Sequence, residues 1–270
     1  MISLNVRIFA VLLMMAVLIL TPFTSYGAGN VNVPSAIRDQ YRNLIIQNDP
    51  TSPNQLIDIT ADEVMLQDPH GSPARVSNVS LVANIVSSGA NGLDTGSATA
   101  NTWYHIWLIS DGTTVASLLS TSATSPVMPA GYVYMAYIGA DYLNGSENFI
   151  SITQRNNKVD VPVSFVLNGG TQPCPTLSYV DASSQIPVTA TRIAGYLNYN
   201  TGPSVGMGFG ALASTGSQYW VGVRVPVQAY SPGATTLSGA YVIDVMIPQT
   251  FYYCTGGPGT VSVAITTWEY

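Results

Sequence analysis

The stretch Trp103-Tyr104-His105-Ile106-Trp107-Leu108-Ile109 is the strongest strand signal in the sequence, because aromatic and β-branched side chains dominate it. These residue types favour the pleated, half-buried surface of a β-strand. Asp111-Gly112 follows, a dipeptide typical of hairpin turns, and Val115 to Leu119 has the composition of a returning strand. The sequence therefore predicts an antiparallel hairpin here.

On both sides of this hairpin, short apolar runs alternate with turns rich in Pro and Gly. Val159 to Leu167 is one such run, and Pro162 within it indicates a sheet edge. Regularly spaced short strands are typical of a sandwich or barrel. We therefore expect an all-β protein with two β-sandwich, jelly-roll-like domains behind a short N-terminal amphipathic helix. The expected segments are a signal peptide (1–27), a helix and linker (28–54), a first β domain (55–155) and a C-terminal β-sandwich domain (156–270).

The predicted helix spans Asn30 to Gln47. Pro34 suits its first turn, and its apolar side chains recur at helical spacing. These side chains are Ile37, Tyr41, Leu44 and Ile45. Such a helix either docks on its own subunit or forms a seam between subunits, and it is too short for a heptad argument.

The first residues have the pattern of a secretion signal. An unbroken apolar run of about 13 residues from Ile8 to Leu20 follows Arg7, and it is shorter than the roughly 20 residues that span a bilayer. Ser25 and Gly27 satisfy the small-x-small rule for cleavage after Gly27. An uncleaved anchor is the alternative. We predict a secreted protein, extracellular or at the cell surface, with no membrane attachment after cleavage.

Charge is scarce in this sequence. Only 8% of residues are charged, with 8 Lys and Arg against 14 Asp and Glu, and the net charge is −6. Ordinary domains carry about 25% charged residues. Nucleic-acid binding is excluded, because it needs many basic side chains to neutralise phosphates. Low charge also leaves little repulsion between copies, which favours a homo-oligomer, either a trimer or a polymer.

The two cysteines, Cys174 and Cys254, are 80 positions apart and lie beside Pro or Gly turns. Neither a CxxC motif nor a nearby histidine supports a metal or redox site. In an oxidising compartment we expect one long-range disulfide, with two separate buried thiols as the alternative.

Catalytic motifs are missing from the sequence. His70 lies in a Pro-Gly loop and His105 lies inside the strongest strand, so neither has a partner fixed by spacing. We predict no catalytic residue, no enzymatic activity and no cofactor. The oxygen-rich turn around Gly145 is a weak calcium candidate through Asp141, Asn144 and Glu147, with a plain Asn-Gly turn as the favoured interpretation.

Tyrosine and tryptophan crowd the C-terminal half of the chain. Both combine a flat apolar ring with a polar handle, which suits subunit contacts and sugar faces, although core packing is the alternative for each one. The candidate surface-contact residues are Tyr196, Tyr199, Tyr219, Trp220, Tyr230, Tyr252 and Tyr253.

Several stretches resemble a pattern in bacteriophage tail-fibre and related virion proteins. The resemblance extends from Ile59 to Tyr270 and is strongest from Asn91 to Ala140. The stretches that carry it are Asn91-Gly92-Leu93-Asp94-Thr95-Gly96, Asn101-Thr102-Trp103-Tyr104, Leu118 to Pro126, Pro129-Ala130-Gly131-Tyr132 and Tyr137-Ile138-Gly139-Ala140. It implies a β-rich, often trimeric module that recognises cell surfaces and carries no catalytic motif. The predicted signal peptide sets this chain apart from that family.

Two functions remain open at this stage. One is an adhesin or receptor-binding module that holds a cell-surface glycan or protein through exposed Tyr and Trp. The other is a structural subunit of an extracellular filament or sheath.

Overall fold

The computed structural model describes residues 41–200, 208–216, 227–229 and 236–270 of the chain. Every regular element in these ranges is a strand, which confirms the all-β class. The described residues include no helix that is long and apolar enough to cross a membrane. In chain order the strands are β1 (Tyr41–Arg42), β2 (Ile45–Asn48), β3 (Leu56–Gln67), β4 (Pro73–Asn84), β5 (Gly92–Leu93), β6 (Thr102–Ser110), β7 (Val115–Ser120), β8 (Tyr134–Leu143), β9 (Thr153–Arg155), β10 (Lys158–Gly170), β11 (Ser178–Asp181), β12 (Arg192–Asn200), β13 (Gly208–Ala213), β14 (Val227–Ala229), β15 (Thr236–Asp244), β16 (Thr250–Gly256) and β17 (Thr260–Glu269).

These strands form two sheets. The larger has 13 strands in the order β15-β12-β17-β10-β9-β2-β3-β8-β6-β7-β5, with β1 and β4 also paired to β3. The smaller has 4 strands in the order β11-β16-β13-β14. Neighbours are antiparallel except β5 and β7. Buried side chains of both sheets share one apolar core, as a β-sandwich requires.

The predicted hairpin is confirmed as β6 and β7, joined by a loop of Asp111 to Thr114. The Asp111 carboxylate shapes this loop by accepting hydrogen bonds from the backbone N–H groups of Thr113 (2.8 Å) and Thr114 (2.6 Å). Strand β6 is buried on both faces, because the segment around Met128 and Tyr132 covers the side that faces away from the main core. The segment around Met128 and Tyr132 thus has a packing role.

The predicted domain boundary falls at the tight turn between β9 and β10. Arg155 pairs with Lys158 across this turn, and Asn156 adopts a left-handed φ of 53° there. The larger sheet and the apolar core both continue past this point. The division into two domains and their jelly-roll-like connections remain predictions.

The helix prediction is wrong where the structure describes it. Residues 41–47 form β1 and the start of β2, with Leu44 and Ile46 buried. Asn43 has a φ of 53°, outside the helical region, and β2 pairs with both β3 and β9. Long-range pairing and burial override a helical spacing of apolar residues that also fits a strand. The signal peptide and the remainder of that helix lie outside the described residues.

Candidate functional site

The outward face of β10, β17, β12 and β15 carries a row of side chains that crosses all four strands. Its members, in order, are Phe165, Ala264, Tyr196 and Ala240. The rings of Phe165 and Tyr196 meet edge to face, with centroids 5.9 Å apart and planes at 87°. Phe165 is 46% exposed and Tyr196 is half-buried. This row and the two rows described next form the aromatic face.

The next row of the aromatic face is polar but uncharged. Ser262 donates a hydrogen bond to Asn168 (3.0 Å), and Ser238 donates one to Asn198. Asn198 lies between Ser262 and Ser238 in the strand register. The amide N–H groups of Asn168 and Asn198 make no hydrogen bond with the described part of the chain. Asn168 is exposed and Asn198 is half-buried, so this row offers polar groups to a ligand next to the two rings.

Charged side chains lie at the far end of the aromatic face, where they form ion pairs with each other. Arg192 pairs with Asp244 (2.9 Å) and with Glu269 (3.3 Å), and the bond to Asp244 raises the pKa of the guanidinium. Lys158 pairs with Asp160 (2.8 Å). Burial pushes the pKa of Asp160 up, but hydrogen bonds led by the one from Lys158 outweigh it and lower that pKa. Exposed pairs of this kind add little stability. The two cations and three carboxylates leave this end of the face with one net negative charge.

A β-bulge sets which side chains reach the aromatic face. The β12–β17 register shifts between Ala194 and Gly195, so Thr266 is an extra residue in β17. Ile265 and Trp268 are therefore both buried, although three positions separate them. At the bulge the strands approach so closely that a Cβ on Gly195 would collide with the Ala264 carbonyl oxygen. Only glycine fits there, next to Tyr196.

The predicted contact tyrosines divide between the surface and the core. Tyr196 lies on the aromatic face, and Tyr252 is half-buried on the outward side of the smaller sheet. Tyr199 was expected on the surface and is fully buried, because it lies three positions from Tyr196 and points to the opposite side of β12. Its hydroxyl donates to the Gly256 carbonyl (3.2 Å). Tyr253 is also buried, at 8% exposure, since it follows Tyr252 directly.

Three further candidates, Tyr219, Trp220 and Tyr230, lie outside the described residues.

Sequence reasoning missed Phe165 and Tyr179. Tyr179 is 68% exposed on β11, opposite Tyr252 on β16. The sequence feature that could have indicated an exposed Phe165 is Pro162, which marks the strand as a sheet edge. Among the described strands this edge of β10 is open beyond Asp160, where the pairing with β9 ends. Which face of the strand carries Phe165 depends on an irregular register after Asp160, and the sequence does not reveal it.

The predicted disulfide is present. Cys174 and Cys254 are bonded, with Cα atoms 5.1 Å apart. The bond ties the segment before β11 to β16, where Thr255 exchanges backbone hydrogen bonds with Gln172 (2.6 Å) and Cys174 (2.9 Å). The described residues contain no free cysteine.

The histidine of the strongest strand belongs to the interior. His105 is 3% exposed, and its Nδ1 lies 3.3 Å from the Tyr137 hydroxyl. That hydroxyl lies 2.6 Å from the Thr189 hydroxyl. The ring of Tyr137 also packs edge to face on Tyr270. These contacts join β6 and β8 to the C-terminal strands.

The calcium candidates do not converge on one point. Asp141 is fully buried in β8, where its Oδ1 accepts a hydrogen bond from the Tyr142 N–H (2.7 Å). Glu147 is exposed, and Asn144 uses its side-chain oxygen to accept from the Ser146 N–H (2.9 Å). In the described ranges no three His, Cys, Asp or Glu side chains cluster as a metal site needs. The Glu147 N–H donates to the Asn144 carbonyl (2.9 Å) and closes the turn, and the calcium candidate stays a prediction.

No protein-family model matches this chain, and no curated protein is similar to it. Among solved structures, one similar chain is SGBP-B from the mixed-linkage glucan utilization locus of Bacteroides ovatus, in complex with a mixed-linkage heptasaccharide. The similarity covers 86% of this chain and 67% of that one, at 12% identity and a TM-score of 0.25. A likeness of that size carries no argument about this protein.

Proposed function

We propose that this is a secreted, non-enzymatic surface-contact protein that binds a neutral glycan on the aromatic face. One observation carries the proposal: an exposed aromatic pair, Phe165 and Tyr196, lies beside an uncharged row of Asn and Ser. Aromatic rings have a negative face, which attracts the weakly positive C–H groups of a sugar ring. Amides and hydroxyls supply the matching hydrogen bonds.

The charge arrangement supports a neutral ligand. The two cations at the end of the aromatic face, Arg192 and Lys158, are already paired with carboxylates of the described chain. The chain carries a net charge of −6, which repels acidic sugars. A neutral polysaccharide avoids that repulsion and can lie across the strands.

Export supports the same proposal. A disulfide persists in oxidising compartments, and Cys174 is bonded to Cys254. The tail-fibre-like stretches agree with a module that recognises cell surfaces, and low charge agrees with a homo-oligomer. Glycan and homo-oligomer are therefore the proposed partners.

The test is binding of the purified mature protein to an array of neutral and acidic glycans. We expect binding to neutral glycans, weakened at least tenfold by Tyr196→Ala and by Phe165→Ala. Tyr179→Ala is the matched control, since it removes an exposed ring from the smaller sheet and should leave binding unchanged. Equal loss in all three variants, or selective binding of acidic glycans, would contradict the proposal.

A second candidate is a structural subunit of an extracellular filament, and the edge of β10 favours it. Beyond Asp160 no described strand pairs with that edge, which carries Val163, 53% exposed. An open edge with apolar side chains can add a strand from another copy. Electron microscopy of the purified mature protein distinguishes the two functions: polymers favour the subunit, and a finite oligomer favours the binding module.

A further inference from the structure

A groove crosses the outward side of β2, β3 and β4, on strands that take no part in the aromatic face. Its volume is about 270 Å³. Two cross-strand rows build it, Gln47–Asp58–Val82 and Ile45–Thr60–Ser80, and Leu81 completes the lining. The groove is thus a regular product of the sheet register.

The polar side chains of the groove have unused hydrogen-bonding capacity. Within the described part of the chain, the side chains of Gln47, Asp58, Thr60 and Ser80 make no hydrogen bond or ion pair. Partial burial raises the pKa of Asp58, and the nearby charge of Asp49 adds to the effect. The Asp58 carboxylate has therefore lost some water without gaining a protein donor.

The mixture of donors and acceptors identifies the kind of ligand. The carboxylate only accepts, whereas the amide and both hydroxyls can donate as well as accept. An ammonium or guanidinium ligand only donates, so it could bond to the oxygens of the groove but would offer no acceptor to its N–H and O–H donors. An anionic ligand would meet the Asp58 carboxylate. The second cross-strand row continues from Ile45 to Arg155 on β9, but this arginine does not line the groove.

We propose that this groove binds one ring of a neutral, polyhydroxylated ligand, such as a single sugar unit, with Asp58 as the principal acceptor. Ligand hydroxyls donate to the carboxylate and exchange hydrogen bonds with Thr60 and Ser80. Ile45 and Val82 offer an aliphatic wall to the C–H side of the ring, whereas the Leu81 side chain packs against the core on the other side of the sheet. The volume is just under the range of about 300–1,000 Å³ of pockets for drug-sized ligands, so it suits a single ring.

The experiment is a heteronuclear NMR titration of the mature protein with methyl glucoside, methyl galactoside and methyl mannoside, following the Gln47 side-chain amide and the backbone of β3. We expect millimolar binding of at least one glycoside, weakened tenfold or more in Asp58→Asn, because a hydrogen bond to a charged acceptor is lost. Asp62→Asn is the matched control: Asp62 lies on the same strand and side but outside the groove, in an exposed ion pair with Arg42. Butylammonium and propionate test the cationic and anionic alternatives.

Three results would overturn the proposal. They are no shift of groove signals with any glycoside, stronger shifts with butylammonium or propionate than with the sugars, and equal weakening in Asp58→Asn and Asp62→Asn. Tyr196→Ala should leave the groove signals unchanged. The two proposals can therefore fail independently: loss of glycan binding on the aromatic face and loss of glycoside binding in the groove are measured by different signals.

Discussion

Removing the disulfide should destabilise the protein mainly through its unfolded state. Cys174 and Cys254 are 80 positions apart, and closing a loop of that length restricts the unfolded chain by about 4.5 kcal/mol in the chain-entropy model. In the folded protein, the joined segments stay together through backbone hydrogen bonds between Thr255 and both Gln172 and Cys174. The native contacts therefore survive when the bond is absent.

The perturbation is the double variant Cys174→Ala/Cys254→Ala. Alanine is the right replacement because Cys254 is fully buried and a serine hydroxyl would need a partner there. Domains are stable by about 5–15 kcal/mol, so a loss of about 4–5 kcal/mol is a third or more of the total. For a protein of this size, Tm should fall by roughly 10–20 °C.

The assay is urea unfolding followed by tryptophan fluorescence, with wild type under oxidising and reducing conditions as controls. Reduced wild type should match the variant, while oxidised wild type should unfold at higher urea. A variant within about 1 kcal/mol of oxidised wild type would refute the unfolded-state argument. A variant much less stable than reduced wild type would instead indicate a packing role for the sulfur atoms.

Three further outcomes follow from single side chains. Burial raises the pKa of Asp141 well above its ordinary value of 3.8, and its Oδ2 has no partner. Asp141→Asn should therefore be more stable than wild type at pH 7 and lose that advantage below pH 3.8, where the wild-type carboxyl is neutral in both states. Urea unfolding across pH measures this difference. Carboxyl NMR titration should give Asp111 a pKa of about 2, because backbone N–H groups of the β6–β7 loop donate hydrogen bonds to its charged form. The stability that these hydrogen bonds give the loop is lost only as pH falls from 3.8 toward 2. Gly139→Ala should lower the free energy of unfolding by roughly 2–4 kcal/mol, as measured by thermal or urea unfolding. A Cβ at this position would lie 2.5 Å from the buried Gln154 Oε1 and would displace the Gln154 amide, which donates to two carbonyls. Gln154→Ala should relieve that clash in the double variant.

Local chemistry made the β6–β7 hairpin and the disulfide predictable. The aromatic, β-branched run of β6 has few alternatives to a buried strand, and Asp111 supplies the turn that ends it. The pairing of Cys174 with Cys254 followed from the presence of two cysteines in the sequence and from the predicted oxidising compartment. These features depend on residue type and near neighbours, which the sequence contains in full.

Which face of its strand a side chain occupies, core or solvent, depended on long-range pairing and was not predictable. The three-residue spacing of Tyr196 and Tyr199 puts them on opposite faces of β12, but the pairing of β12 in the sheet decides which of them faces the core. The extra residue Thr266 reverses the alternation of β17, so period-two reasoning fails beyond it. The Asp58 groove depends on three strands that are brought together only by the fold.

The position of strand β17 in the larger sheet has a mechanical consequence. It is paired with β10 on one edge and with β12 on the other along its length from Thr260 to Glu269. Ladder hydrogen bonds in antiparallel pairs run perpendicular to the strands. A pull along β17 therefore loads both ladders in shear, with many bonds resisting together, whereas peeling would break them one by one. Tension applied in this direction would be borne by the same strands that display the aromatic face.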